Sequence, residues 1–562
     1  MSTTPQTSTL ASQIPETLAP LKGQLLCEAL EQTPQRTIAA TLRHRVIPVL
    51  TMPGTVLYGV CGSIGSRYAK SQKLRVVAEV EAADFQTAIR QVWGRRLLAY
   101  ATSHLQRCRN EFSASARFST PQALAIAGIL VVLASAVFNQ HFALVWSALS
   151  VFSGIFFFSL VALRLFCVLP RRSARPGPVI RFRTNDLPVY SVLVPVFREI
   201  AVLRQLLDAL GSLSYPVEKL DIKIIVEELD TTLRRELENY MLPEQFEIVV
   251  VPRGKPQTKP RALNYALQFA RGELLTIYDA EDVPDARQLL RAVQRFYQSS
   301  NENLACVQAK LVFFNANENW LTRQFAAEYA TLFGLILPGL AAEGLPLPLG
   351  GTSNHFRTDI LRSIGGWDPF NVTEDADLGF RLARLGYATE VVDSVTYEEA
   401  NTQFSNWLKQ RARWLKGFLQ TWLVHMRDPV GVLREIGLGG FWVLQATTIG
   451  VFISALLHPI LLVATFVMLF TQPMVYADTP LWLVVFGSMN LLTFVLGYGV
   501  SIYAANKALG QLGISRWWGT LASMPFYWIL MCAAAWLALY QFIVCPFAWN
   551  KTEHGLSKFY RS

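Results

Sequence analysis

The chain has 562 residues, 52% of them hydrophobic and 16% charged, against roughly 25% charged in ordinary soluble proteins. That balance excludes a disordered chain and a purely soluble enzyme; the apolar residues crowd into long runs near residue 130 and after residue 437, leaving a polar middle. Lys and Arg total 51 against 41 Asp and Glu, a net charge of +10 that suits nucleic acid, anionic lipid or a phosphorylated substrate. The 7 cysteines are scattered without a Cys-x-x-Cys pair, so neither a disulfide framework nor a zinc site is expected, and the polar part reads as lying in a reducing compartment.

Residues 1–20, rich in Ser, Thr, Pro and Gln, read as a disordered cytoplasmic tail with no secretory signal. Residues 21–118 read as a small α+β domain, with a helix at 24–31, strands at 45–50, 56–60 and 74–80, and a helix from Asp84. The run Arg43-His44-Arg45-Val46-Ile47-Pro48-Val49-Leu50, with Val76-Val77-Ala78-Glu79-Val80 and Asp84-Phe85-Gln86-Thr87-Ala88-Ile89, resembles the N-terminal domain of type II secretion ATPases. Some domains of that class bind cyclic di-GMP, but the Arg-Leu-Gly helix opening such binding needs is absent around residues 21–29, so a docking module is expected. Residues 119–169 read as a transmembrane hairpin. Thr120-Pro121 starts its first helix, the run to Phe138 is long enough to cross a bilayer, and Asn139-Gln140-His141 separates it from a second run at 142–168. Arg171, Arg172 and Arg175 then place the N-terminal domain and the following segment in the cytoplasm.

Residues 185–400 alternate strands (189–197, 222–227, 246–252, 273–279) with helices, the pattern of a largely parallel sheet covered on both faces. Ligands of such sheets bind beyond the carboxyl ends of the strands. Residues 401–433 read as an interfacial helix of Trp, Leu and basic residues, and 434–546 as C-terminal transmembrane and interfacial helices. The run 437–470 would be about 50 Å long as one helix, so a kink is expected at His458-Pro459. The loop carrying Asp478 lies outside and Lys507 and Arg516 inside. The last run, 517–544, starts and ends on one side by its flanking charges, with Pro525 breaking it into a re-entrant pair unless the charge rule fails there. Residues 547–562, with Lys551, Lys558 and Arg561, form a cytoplasmic tail.

Asp279-Ala280-Glu281-Asp282 closes a predicted strand; alternation points Asp279 and Glu281 the same way, close enough to share a hard cation such as Mg²⁺ or Mn²⁺. Taken alone, an acidic triplet is more often a solvated turn. Thr373-Glu374-Asp375 opens a predicted helix and by itself is an ordinary capped start. Gln410-Arg411-Ala412-Arg413-Trp414 by itself is a basic amphipathic helix. In this order, the three motifs resemble family 2 glycosyltransferases of the cellulose synthase and hyaluronan synthase type. The resemblance covers about residues 188–425 and extends to the membrane layout. The runs Gly350-Gly351-Thr352-Ser353-Asn354-His355-Phe356-Arg357 and Trp549-Asn550-Lys551-Thr552-Glu553-His554-Gly555 resemble the bacterial branch around phage N4 adsorption protein B.

The resemblance implies an α/β GT-A (Rossmann-like) catalytic domain embedded between transmembrane helices. It implies Asp279, Glu281 and Asp282 as metal ligands, with Glu where the motif usually ends in Asp. Asp375, with Glu374 beside it, matches the general base. Lys259 and Arg413 are expected on the diphosphate, and Pro195, Glu199, Glu227, Glu228 and Asp230 along the nucleotide, although a Glu pair at 227–228 stands where Asp-Asp is usual. Trp414 and Gln410, with Gly351, Thr352, Ser353 and His355, are expected at the acceptor; His355 reads equally well as a structural hydrogen-bonder. The activity implied is inverting transfer of a sugar from a UDP-sugar to a growing β-linked polysaccharide in the bacterial inner membrane, with an export partner protein as a further expected contact. The alternatives are a single transfer to a lipid-linked, lipid or glycolipid acceptor, and a catalytically silent nucleotide-sensing receptor, against which the intact acids argue. Without a nucleic-acid-binding motif, the basic residues suit anionic membrane lipids and no nucleic acid is expected.

Overall fold

The computed structural model describes residues 18–53, 55–139, 142–169, 182–471, 481–514, 517–548, 553 and 555–558. The expectations for residues 1–17, for Arg171, Arg172 and Arg175, for the loop with Asp478, and for Arg516, Lys551 and Arg561 lie outside these.

The N-terminal unit runs β1 (Ala19–Pro20), α1 (Gly23–Glu31), α2 (Gln35–His44), β2 (Val46–Met52), β3 (Thr55–Cys61), α3 (Gly62–Ser71), β4 (Arg75–Val80) and α4 (Ala82–Cys108). Its sheet order is β1-β4-β3-β2, with an antiparallel β2–β3 hairpin and parallel β3–β4 and β1–β4 pairs. Helices α2 and α3 were not expected: α2 offers only Ile38 and Leu42 as an aliphatic stripe and α3 carries two glycines, a weak helical signal. The long α4 lies on the central unit of residues 190–398, where Asn264 donates to the Ala101 carbonyl (3.1 Å) and Gln268 to the Leu97 carbonyl (3.1 Å). Arg45, in the left-handed backbone region at φ 55°, forms a buried 2.7 Å ion pair with Glu247 across the same contact.

After α5 (Thr120–Phe138) and α6 (Phe142–Val168), the central unit contains β5 (Tyr190–Val196), α7 (Ile200–Gly211), β6 (Leu220–Glu227), α8 (Thr231–Glu238), β7 (Phe246–Val251), α9 (Lys259–Leu267), β8 (Leu274–Ile277), β9 (Val283–Pro284), α10 (Gln288–Gln298) and β10 (Leu304–Phe313). It continues through α11 (Trp320–Thr331), a π-helical turn, α12 (Leu337–Ala342), β11 (Asn354–Arg357), α13 (Thr358–Ser363), α14 (Glu374–Arg384) and β12 (Ala388–Glu398). The sheet order is β7-β6-β5-β8-β11-β10-β12-β9. The first four strands are parallel; β11 runs against both β8 and β10, and β9 against β12. The sheet is therefore mixed, a GT-A-like arrangement, where strand–helix alternation alone suggested a largely parallel one. The apolar strand β5, Tyr-Ser-Val-Leu-Val-Pro-Val, is buried on both faces, as expected of a strand covered by helices on either side.

The remaining helices are α15 (Phe404–His425), α16 (Pro429–Thr447), α17 (Ile449–Thr471), α18 (Leu481–Gln511), α19 (Trp518–Ala522) and α20 (Met524–Val544). Among the described residues, three helical runs are long and apolar enough to cross a membrane: Trp320–Ala342, Pro429–Ile460 and Met524–Val544. The run 437–470, for which a kink was expected at His458-Pro459, is interrupted at two further places. Gly437, at φ 67° and ψ 178°, interrupts α16, Thr448 leaves helical geometry, and α17 continues through Pro459. Pro is tolerated inside such helices where neighbours satisfy the freed carbonyl. The last run does divide beside Pro525: α19 ends at Ala522, Ser523 separates it from α20, and Pro525 occupies the first turn of the 21-residue α20, where a missing N–H costs no helical hydrogen bond. Helix α15 packs on both α17 and α20, with Trp407, Gln410, Arg411 and Lys416 buried.

Candidate active site

The end of β8 turns sharply through Asp279 to Asp282. Asp282 is buried and makes the turn: its Oδ2 accepts from the Asp279 N–H (2.7 Å) and from the Thr352 hydroxyl, while Oδ1 has no partner. Burial and the charges of Asp279 and Glu281 push the Asp282 carboxyl well above its usual range. Glu281 is shifted the same way by burial, then by Asp279 and Glu199.

Lys259 opens α9 and ties this turn to two distant stretches. Its ammonium donates to the Asp279 carboxylate and to the Gly351 carbonyl (2.8 Å). Burial alone would lower its pKa, but the charges of Asp279, Glu374 and Asp375 outweigh that and raise it. Gly351 has room for no side chain without contact: a Cβ there would lie 3.2 Å from Asp375 Oδ2 and 3.8 Å from Lys259 Nζ. Burial also lowers the pKa of the Arg413 guanidinium, against the charges of Glu374, Asp279, Asp375 and Glu281. Residues 279 and 375 therefore share one charged cluster.

Glu374 and Asp375 form the first turn of α14, and Asp375 Oδ1 accepts from the Ala376 N–H (2.8 Å). Burial raises Asp375 to about 6, and burial with the neighbouring Asp375 charge raises Glu374 to about 8. A carboxylate that titrates near neutrality is matched to accepting a proton. The loop before α14 is held by α15: Gln420 accepts from the Val372 N–H (3.2 Å) and Asn371 donates to the Thr421 hydroxyl (2.9 Å). Close approach depends on Gly417, whose Cβ would fall 2.4 Å from Thr373 side-chain atoms. Helix α15 thus carries Arg413 and Trp414 while bracing the turn that leads into Glu374 and Asp375.

Several expected contacts are committed elsewhere. Both Glu227 oxygens accept from Arg261 Nη2 (2.7 Å each) and both residues are buried, so Glu227 neutralises an internal guanidinium and is not available to a nucleotide. Asp230 caps α8 by accepting from Leu233 N–H (3.2 Å) and also accepts from Arg198 N–H (2.6 Å), fixing the loop after β5. Glu228 is partly exposed and accepts from the Arg253 N–H (3.2 Å); Glu199 accepts from Phe197 N–H (3.4 Å), and Pro195 lies near the end of β5. His355 is no acceptor wall. It is fully buried in β11, with Nδ1 2.7 Å from the Tyr190 hydroxyl and Nε2 3.2 Å from Gln288 Oε1, and burial pulls its pKa down to about 3. Ser353, at φ 57°, bonds Thr396 across the sheet (2.6 Å). Gln410 accepts from Asn401 (2.7 Å), and Trp414 stacks on Tyr329 with ring centroids 6.0 Å apart.

Glu398, Tyr329, Arg261 and Gly417 were missed. Glu398 ends β12, has a buried Oε1 without a partner, and is raised well above its usual range by burial and then by Asp282, Glu281 and Asp279. Its position after a β-rich run was the one signal that pointed to it. Partnerless oxygens on Asp282 and Glu398, within a set of mutually repelling acids, fit a divalent cation. Among the described residues no three His, Cys, Asp or Glu side chains form a ready cage, which suits an ion that takes only one or two carboxylates and completes its shell with phosphate oxygens and water.

The description "Glycosyl transferase family group 2" matches residues 274–549. The chain is similar to "Probable glycosyltransferase YdaM" of Bacillus subtilis, 28% identical over 43% of this chain and 57% of the relative. It is similar to "Beta-monoglucosyldiacylglycerol synthase" of Nostoc sp., 29% identical over 46% of this chain and 56% of the relative. "Cellulose synthase 2" of Novacetimonas hansenii matches at 24% identity over 44% of this chain and 15% of that protein. A solved structure, "Mannosyltransferase PcManGT from Pyrobaculum calidifontis in complex with GDP-Man and Mn2+", superposes with a TM-score of 0.44 at 16% identity, covering 71% of this chain and 97% of that one. The chain spans little more than half the length of the first two relatives. Residues 274–549, just under half of the chain, are thus similar to family 2 glycosyltransferases.

Proposed function

We propose that the chain is a membrane-bound inverting glycosyltransferase that moves a sugar from a UDP-sugar to a growing β-linked polysaccharide. The observation that carries the reading is the junction at Lys259, which bonds Asp279 and the Gly351 carbonyl while Gly351 abuts Asp375. It supports a donor diphosphate and an acceptor hydroxyl meeting at one point.

In this reading Asp375 takes the proton of the acceptor hydroxyl as its oxygen bonds to the anomeric carbon. The bond from that carbon to the diphosphate oxygen breaks, and UDP departs with the electron pair. Attack from the face opposite the leaving group converts an α-linked donor into a β-linked product. Lys259 and Arg413 face the charge that grows on the diphosphate, where fixed cations in a dry site lower the barrier most. Asp279 and Glu281, with Asp282 as a competing ligand, would hold Mg²⁺ or Mn²⁺, which when bound supplies Lewis-acid stabilisation of the diphosphate. Glu374 keeps its proton more readily than Asp375 and leaves the role of base to its neighbour. Glu199, Glu228 and Asp230, with Pro195, border the nucleotide, while Trp414, Gln410 and the turn Gly351 to Ser353 form the acceptor wall. The protein is assigned to the bacterial inner membrane as a multi-pass chain with catalytic domain and termini cytoplasmic, in the branch resembling phage N4 adsorption protein B.

A second reading, one transfer to a lipid or glycolipid, is favoured by the small number of membrane-length helices and by a relative named as a glycolipid synthase. Purified protein incubated with a panel of UDP-sugars and a divalent metal tests both. Polymer of growing length supports the first reading and a single-sugar lipid product the second; UDP release that persists unchanged in Asp375→Asn refutes the base.

A further inference from the structure

Arg164 sits on the apolar helix α6, one turn before its end at Val168, and is only half-buried. An arginine so placed usually extends outward to water. This one turns into the bundle: Nη1 donates to Ser501 on α18 (2.6 Å), and the guanidinium lies 5.9 Å from the Trp528 ring on α20. Among the described residues, no carboxylate forms an ion pair with it. Glu328 on α11, in the same bundle, is committed elsewhere: both of its oxygens are taken, by Arg411 (2.9 and 2.6 Å) and by the Tyr527 hydroxyl (2.9 Å). Lys507 adds another charge, donating to the Val168 carbonyl (2.7 Å) with no carboxylate partner among the described residues. An uncompensated charge at the edge of the hydrocarbon is costly, and such residues mark binding sites by default.

The cation also connects to the acceptor wall. Trp528 follows Tyr527, which shares Glu328 with Arg411, and Arg411 lies 4.9 Å from the Trp414 ring. We propose that Arg164, with Ser501 and Lys507, binds the phosphate group of a membrane lipid whose headgroup is seated beside the acceptor wall. The inference deepens the membrane reading above, and its test needs no sugar transfer.

Full-length protein in bilayer discs containing equal amounts of phosphatidylglycerol and phosphatidylcholine is released into a mass spectrometer and its retained lipids are counted. Wild type retains phosphatidylglycerol in preference. Arg164→Gln loses about fivefold of that preference, the worth of one cation at a lipid surface; Arg164→Lys keeps most of it, and Lys507→Gln gives a smaller loss should Arg164→Gln not fold. Equal retention by wild type and both glutamine variants overturns the site. Displacement of the lipid by millimolar inorganic phosphate also overturns it, since the ligand would then be a soluble anion. A chain that binds the lipid and transfers no sugar refutes the enzymatic reading and leaves this site standing.

Discussion

Replacing Gly351 by Ala places one methyl group at the junction of the cluster. The added carbon would lie 3.2 Å from Asp375 Oδ2 and 3.8 Å from Lys259 Nζ, and the first is closer than a carbon and an oxygen comfortably pack. Asp375 opens α14 and its Oδ1 is tied to the Ala376 N–H, so relief comes from swinging the carboxylate away by a few tenths of an ångström. A displacement of 1 Å costs about 10²-fold in rate, so a shift of about 0.3 Å costs about fourfold in kcat, or about 0.8 kcal/mol of barrier. Folding stability responds the other way, because alanine restricts the unfolded chain and adds about 0.4–1 kcal/mol where its backbone geometry is ordinary. Metal-supported UDP release and thermal unfolding are measured on the same preparation. A kcat within twofold of wild type at unchanged melting temperature would show that Gly351 does not border the base, and the proposed convergence would fail.

Asp375→Asn is expected to lower kcat by about 10²- to 10⁴-fold, the usual worth of a general base, with the melting temperature unchanged; Glu374→Gln is expected to cost far less. The pH profile of kcat/KM should rise through a limb near pH 6, because below it the Asp375 carboxyl, raised to about 6, carries a proton and cannot accept another. Absence of that limb in wild type would contradict the assignment. Arg261→Met leaves Glu227 buried without its guanidinium, and breaking such a pair costs about 3–5 kcal/mol, read as a lower denaturation midpoint; a midpoint like wild type would restore Glu227 as a candidate ligand contact. Chelation of divalent metal should abolish UDP release reversibly, and activity persisting in excess chelator would remove the cation from the mechanism.

The local signals in the sequence were those of polarity next to periodicity: an acidic turn after a β-rich run, an acidic helix start, and a Trp and Arg helix. These put Asp279, Glu374, Asp375 and Arg413 on the elements where they stand. Pairing between strands was not legible. The antiparallel β11 between β8 and β10 joins residues about 80 apart, and it turns His355 from a candidate for the acceptor wall into a buried partner of Tyr190. Glu227 had the look of a strand-end ligand, but its partner, Arg261, sits on a helix whose packing no local pattern reveals. Close approach was equally hidden, since Gly351 and Gly417 matter through what a Cβ would strike in a segment far along the chain. In the membrane part, proline was the visible punctuation: Pro525 stands just after the break at Ser523, while the breaks at Gly437 and Thr448 carry no proline signal.

The convergence of the two acidic stretches is tested most directly by substituting Fe²⁺ for the native cation and generating hydroxyl radicals with ascorbate and peroxide. Cleavage is expected in both the 279–282 turn and the 374–375 helix start, suppressed together by excess Mg²⁺ or Mn²⁺. Cleavage confined to one of these stretches would contradict a shared site.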